Sequence, residues 1–148
     1  MKKWISVIGI GLLGALLLCG CSASYADGTY TAQSSVYEGL EDEDGDEGGD
    51  GYGVVTITVK DNVITDCEFT TYMTDGTVKD EEYGKKDGEI ANQDYYNKAQ
   101  RAVKASQNYA EQLAAKGDLK DVDAISGATI SYDEFKEAVR LALKQAKQ

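Results

Sequence analysis

The sequence predicts an α+β fold: a small antiparallel sheet packed with C-terminal helices, following a cleaved signal peptide. Three observations predict it. The stretch GYGVVTITVKDNVITDCEF, from Gly51 to Phe69, alternates apolar and polar residues. Apolar residues recur at helical spacing from Tyr95 to Leu113. A second helical repeat runs from Phe135 to Ala146.

The elements follow in chain order. Lys2 and Lys3 precede an apolar run from Trp4 to Leu18, too short for a comfortable membrane span and proportioned like a secretory signal. The run ends in Leu18-Cys19-Gly20-Cys21, which resembles the lipobox of bacterial lipoproteins. That resemblance implies a signal peptide over residues 1–20 and a lipid on the Cys21 sulfur. It further implies a short tether over 21–26, one domain over 27–148, and a place on the extracytoplasmic face of the cell membrane. Six steps of chain separate Cys21 from Asp27, a reach of ~20 Å at most.

After a turn at Asp27-Gly28, Thr29 to Val36 reads as a first strand with Tyr30, Ala32 and Val36 on one side. The acidic, glycine-rich segment from Glu41 to Asp50 has nothing to bury and is expected to be a solvated loop. A calcium loop is the sharper alternative, because Asp42, Asp44 and Asp46 alternate, but the glycine placement and distal glutamate of an EF-hand are missing. In the main β stretch Val55, Ile57 and Val59 share a face, and Asp61-Asn62 suits a tight hairpin turn. Val63, Thr65, Cys67 and Phe69 then alternate down the return strand. Tyr72 to Val78 adds at most a short strand broken at Asp75-Gly76, and Asp80 to Ile90 reads as a polar loop.

A helix is expected from near Asn92 to Gly117, its tyrosines serving either as core or as stacking surface for a planar ligand. The last helix is expected to start with a capping box, Ser131 with Glu134, closed by a staple of Ile130 on Phe135. Phe135, Ala138, Val139, Ala142 and Ala146 line its inner face, and Lys144 and Lys147 suit its negative end.

Composition excludes several functions. The chain of 148 residues carries a formal charge of −11 and no histidine. Loss of Lys2 and Lys3 with the signal would leave −13, a body that repels nucleic acid and anionic lipid. Cys19 leaves with the signal and Cys21 is acylated, so Cys67 has no intramolecular disulfide partner. It reads as a small packed residue, with a reactive thiol as the alternative. Zinc, haem and histidine acid-base chemistry find no support in the residue set, and no metal site is expected.

Before the last helix stands Asp123-Ala124-Ile125-Ser126-Gly127-Ala128-Thr129. Small residues leading into a helix start let an anion approach unpaired amides; on pattern alone this is either a weak phosphate site or a plain loop. The segment closely resembles the D-x-x-[ST]-G-A-T motif of the FMN-binding domain family. At average residue usage this motif arises by chance in roughly one chain in a few thousand. DGTY near the start, the long β stretch and the final helix keep that family's order.

The resemblance implies a covalent flavoprotein of the Gram-positive extracellular electron-transfer type. Thr129 would carry FMN as a phosphoester, attached by an FMN transferase that reads Asp123, Ser126, Gly127 and Ala128. The chain would then be an electron carrier with no catalytic residues of its own, linking a quinol-linked or NADH dehydrogenase donor in the membrane to acceptors such as ferric iron. The alternative is a ligand-binding or adhesive surface lipoprotein without flavin. A free-standing flavin reductase is disfavoured, since the chain lacks a nucleotide-binding glycine fingerprint. Trp4 is the only tryptophan, so stacking on the flavin ring falls to tyrosine, Phe69, Phe135 or Met73, or is absent.

Overall fold

The computed structural model describes residues 23–39 and 49–148. The signal peptide, Cys21 and most of the acidic segment, with its calcium alternative, lie outside the described residues.

A three-stranded antiparallel sheet, in the order β1-β2-β3, is built from β1 (Gly28–Gln33), β2 (Tyr52–Lys60) and β3 (Val63–Tyr72). Two helices, α1 (Gln93–Lys116) and α2 (Thr129–Ala146), cover one face, α1 over β3 and α2 over β1 and β2. The expected α+β architecture is therefore the observed one. On the other face, threonine hydroxyls pair across strands, Thr29 with Thr58 at 3.2 Å and Thr31 with Thr56 at 2.9 Å. Alternation thus gives a dry side and a wet side.

The β2–β3 hairpin turns at Asp61 and Asn62, both with positive φ of 52° and 64°, as a two-residue turn of this hand requires. Val55, Ile57 and Val59 are buried as expected. The return strand departs from simple alternation. Val59 pairs with Ile64 while Thr58 pairs with Asp66, so Thr65 is an extra residue, a β-bulge. The bulge turns Ile64 inward beside Cys67 and Phe69 and leaves Val63 and Thr65 exposed. β1 ends at Gln33, and Val36 lies outside the sheet and exposed. Tyr72 and Val78 meet in a single bridge around the Asp75-Gly76 turn rather than in a further strand.

The Asn92 side chain caps α1 by accepting from Tyr95 N at 3.0 Å, and Gly117 ends the helix at φ 78°. Phe135 sits at the centre of the core, edge-on to Phe69 at 5.1 Å and stacked on Tyr109 at 5.6 Å. The alanines at 138, 142 and 146 let α2 lie close against the sheet. Cys67 is buried, and burial, with Asp66 and Glu68 beside it, pushes its thiol up to about 12. The packed reading of this residue holds.

The chain enters the domain at the far end of α2. Ala26 N donates to Ala146 O at 2.7 Å and Gln148 N to Ser24 O at 3.2 Å. Three residues of the expected tether, Ser24 to Ala26, are therefore docked on the domain.

Candidate functional site

The opposite end of α2 is built differently. A turn closes with Ala128 N donating to Ile125 O at 3.1 Å, and Gly127 takes φ +81°. A side chain there would be strained. The helix begins immediately afterwards at Thr129, with Ala128 in the cap position and no side-chain cap. The expected capping box is not formed. Because the chain turns at Gly127 and the cap falls at Ala128, three residues before Ser131, both Ser131 and Glu134 fall inside the helix and are buried. The expected staple is replaced too: Phe135 belongs to the core, while Ile130 lines a cavity.

Two tyrosines hold this loop in place. Tyr109 OH accepts from Ile125 N at 2.9 Å and donates to Ala128 O at 3.3 Å. Tyr132 OH donates to Val122 O at 2.9 Å. The loop is thus anchored to both helices through its backbone, with Ser126 and Gly127 exposed and Ala128 buried.

Beside the loop lies a cavity of about 280 Å³, near the lower bound of about 300 Å³ for ligand clefts. Gly127, Ala128 and Thr129 form its lip, and Ile130, Ser131 and Glu134 continue along α2. The other walls come from Lys79 and Tyr83, from Gly49, and from Tyr95 and Lys98 of α1. Arg101 of α1 stands next to the loop, its Nη1 3.4 Å from where a Cβ on Gly127 would lie. Two exposed cations, Lys98 and Arg101, therefore flank a helix start whose first amides have no intrahelical acceptor. That is an anion-binding arrangement.

The inner wall is polar and nearly dry. Lys79 is buried; its Nζ donates to Gly49 O at 3.2 Å and lies 5.1 Å from the centre of the Tyr83 ring. Burial pulls its pKa down, against the opposing pull of Glu134 and Asp50. The Tyr83 hydroxyl is pushed up, first by burial and then by Tyr95, to which it is hydrogen-bonded. The Glu134 carboxyl is pushed up to about 7 by burial, with Lys79 opposing and Glu137 adding to the rise. Glu134 Oε1 is buried without a hydrogen-bond partner.

Comparison with known proteins settles the class of ligand. The FMN-binding domain family model matches residues 48–144, more than half of the chain. The chain belongs to the FMN-binding domain family. Its cofactor is FMN. Among solved structures, the chain is similar to the CPE2226 protein of Clostridium perfringens, with a TM-score of 0.55 and 22% identity over 83% of this chain and 89% of that one. A Clostridium thermocellum protein solved by NMR is matched at a TM-score of 0.42 and 23% identity, over 82% and 92% of the two chains. The Clostridium perfringens likeness is one of fold. No curated protein matches the chain.

Within this FMN-binding domain, the motif residues divide. Gly127, Ala128 and Thr129 reach the cavity, Ala128 buried and Thr129 exposed. Asp123 and Ser126 are exposed and stand outside the lining. Asp123 pairs with Lys116 at 3.0 Å and is tied through its backbone to Gln112. Of the residues considered for stacking, Phe69 and Phe135 are core and Met73 is exposed in a turn; among the described residues the aromatic lining consists of Tyr83 and Tyr95.

Sequence reasoning missed Lys79, Tyr83 and the role of Glu134. Lys79 and Tyr83 carry no periodic signal. Glu134 does: it shares the apolar stripe with Ala138, one turn further on, and a carboxylate on such a stripe marks a buried charge.

The residues fit FMN. The cofactor's phosphate is dianionic, and the lip offers amides, Lys98 and Arg101. Its ring is planar with a polar edge, and the cavity offers tyrosine rings, Lys79 and an unsatisfied carboxyl oxygen.

Proposed function

We propose that this chain is a membrane-anchored extracellular electron carrier with FMN joined through its phosphate to Thr129 Oγ1. The observation that carries the reading is the position of Thr129. It is the exposed first residue of α2, at the lip of the cavity, and it closes the D-x-x-S-G-A-T sequence. An FMN transferase would join Thr129 Oγ1 to the FMN phosphorus of FAD, breaking the pyrophosphate bond and releasing AMP, and would read the exposed Asp123 and Ser126 together with Gly127 and Ala128.

Covalent attachment suits an extracellular protein. Even nanomolar binding, worth about 12 kcal/mol, loses its ligand to unlimited dilution. FMN, when bound, accepts one or two electrons, which lets one site join two-electron and one-electron partners. The protein's own residues hold the phosphate at the lip and cover the ring with Tyr83, Tyr95 and Lys79. Thr129 is an attachment point and not a catalytic nucleophile.

The anchor and the flavin fall at opposite ends of α2. Its 18 residues span about 27 Å, with the tether entering beside Ala146 and the cavity at Thr129. A lipid on Cys21 thus places the flavin on the side of the domain away from the tether's entry, facing extracellular acceptors such as ferric iron. The donor is a membrane quinol-linked or NADH dehydrogenase. Cys21→Ala should block lipidation and leave precursor or released protein; normal membrane retention together with lipid labelling of the variant would contradict the anchor.

The attachment is tested by co-expressing wild type and Thr129→Ala with an FMN transferase and viewing denaturing gels under ultraviolet light. Wild type should fluoresce and the alanine variant should be dark, with stability changed by no more than ~1 kcal/mol. Equal fluorescence would place the bond elsewhere.

A further inference from the structure

The structure assigns a second role in this cavity: Glu134 is the hydrogen-bonding partner of the flavin ring and exchanges a proton with solvent as electrons arrive and leave, coupling electron uptake to pH. The inference rests on the reading that the ring occupies the cavity beside Thr129.

Geometry comes first. Glu134 lies five residues beyond Thr129, about 7.5 Å along the helix axis. It lines the cavity, is 5% exposed, and its Oε1 is buried with no hydrogen-bond partner. Native proteins satisfy nearly all such atoms, so an orphan in a ligand cavity points to a group that the ligand supplies. The obvious internal partner is turned elsewhere. Lys79 Nζ donates to Gly49 O and covers the Tyr83 ring, and among the described residues no ion pair joins it to Glu134.

The surrounding charges set when this carboxyl titrates. Lys79 and Tyr83 act on it from the segment after β3 and Glu137 from α2 itself, while Tyr95 and Lys98 of α1 line the same cavity and Asp50, before β2, acts on Lys79. Burial outweighs the pull of Lys79, and the carboxyl titrates at about 7. Near neutrality a small change of nearby charge therefore shifts its protonation. When an external donor delivers electrons to the site, the added negative charge raises the carboxyl's proton affinity. Glu134 then takes a proton from solvent and returns it when the electrons leave to an acceptor. The donor in the test below is dithionite.

Two measurements decide it. The first follows the midpoint potential of the FMN-loaded protein with dithionite on both sides of pH 7, in wild type and in Glu134→Gln. The glutamine keeps the shape and cannot titrate. Wild type should show a change of slope near pH 7 that the variant lacks. The second follows the Glu134 carboxyl by carbon-13 NMR in flavin-free Thr129→Ala protein, and needs no substitution at Glu134. It should titrate near 7 rather than at the ordinary value of 4.5. Identical potential-pH curves from flavin-loaded wild type and Glu134→Gln, or a carboxyl midpoint near 4.5, would overturn the assignment while leaving the Thr129 attachment intact. A wild type that takes up no flavin would overturn both.

Discussion

The two ends of α2 obey different rules. At the C-terminal end, Ala138, Val139 and Ala142 are fully buried in the apolar core, and Ala146 is nearly so. At the N-terminal end, within one and a half turns, stand an exposed threonine, a buried serine and a buried carboxyl with an unpartnered oxygen. An unsatisfied buried polar atom costs about 1–3 kcal/mol. A fold built for stability alone would have continued the alanine stripe. The contrast teaches where to look in a small domain: packing explains the end that is dry and satisfied, and a ligand explains the end that is not.

The comparison can be broken first at the boundary between the two ends. Phe135 joins them, packed on Phe69 and Tyr109. Phe135→Ala should lose ~3–5 kcal/mol in denaturant unfolding. A loss below about 1 kcal/mol would mean that the core does not depend on this junction.

Glu134→Gln sharpens the comparison through pH. The carboxyl titrates at about 7 in the folded protein against an ordinary 4.5, so the folded state binds the proton more tightly. Stability should therefore fall as pH rises from 4.5 through 7, by an amount on the order of 3 kcal/mol. The glutamine variant should lack that part of the fall. An unchanged pH profile, measured on flavin-free protein, would place the carboxyl in solvent.

The smallest effect belongs to the buried face of the sheet. Cys67, buried with its thiol pushed up to about 12, should not react with thiol reagents in native protein at neutral pH. It should label only at the rate of unfolding, and rapid native labelling would show that this face of the sheet opens locally.

Much of the fold was legible because it is local. Asp61-Asn62 and Gly117 take positive φ, which few residues adopt, and Asn92 offers a capping side chain; the hairpin turns and α1 starts and stops where those residues stand. The bulge at Thr65 was not legible. One extra residue flips every later side chain, and the two-residue period has no mark for it. The capping-box pattern misled for a related reason: it records what could cap a helix at Ser131, not that Gly127 has already turned the chain. The acidic segment was expected to pack nothing, yet its last residues do. Gly49 O accepts from Lys79, and Asp50 accepts from Gly39 N. Of the candidate site, Gly127, Ala128 and Thr129 were visible as a motif. The cavity wall was not, since Gly49, Lys79, Tyr83, Tyr95 and Glu134 meet only through the fold.

The central claim is that Thr129 carries the cofactor, and peptide mapping tests it most directly. Wild-type protein from cells with an active FMN transferase is denatured, digested with trypsin and measured by mass spectrometry. Cleavage after Lys120 and Lys136 releases the segment from Asp121 to Lys136, which contains the whole motif. That peptide should be heavier by one FMN less one water, with fragmentation placing the added mass on Thr129. An unmodified peptide from protein that is yellow before denaturation would contradict the account, because the flavin would then be held without a covalent bond.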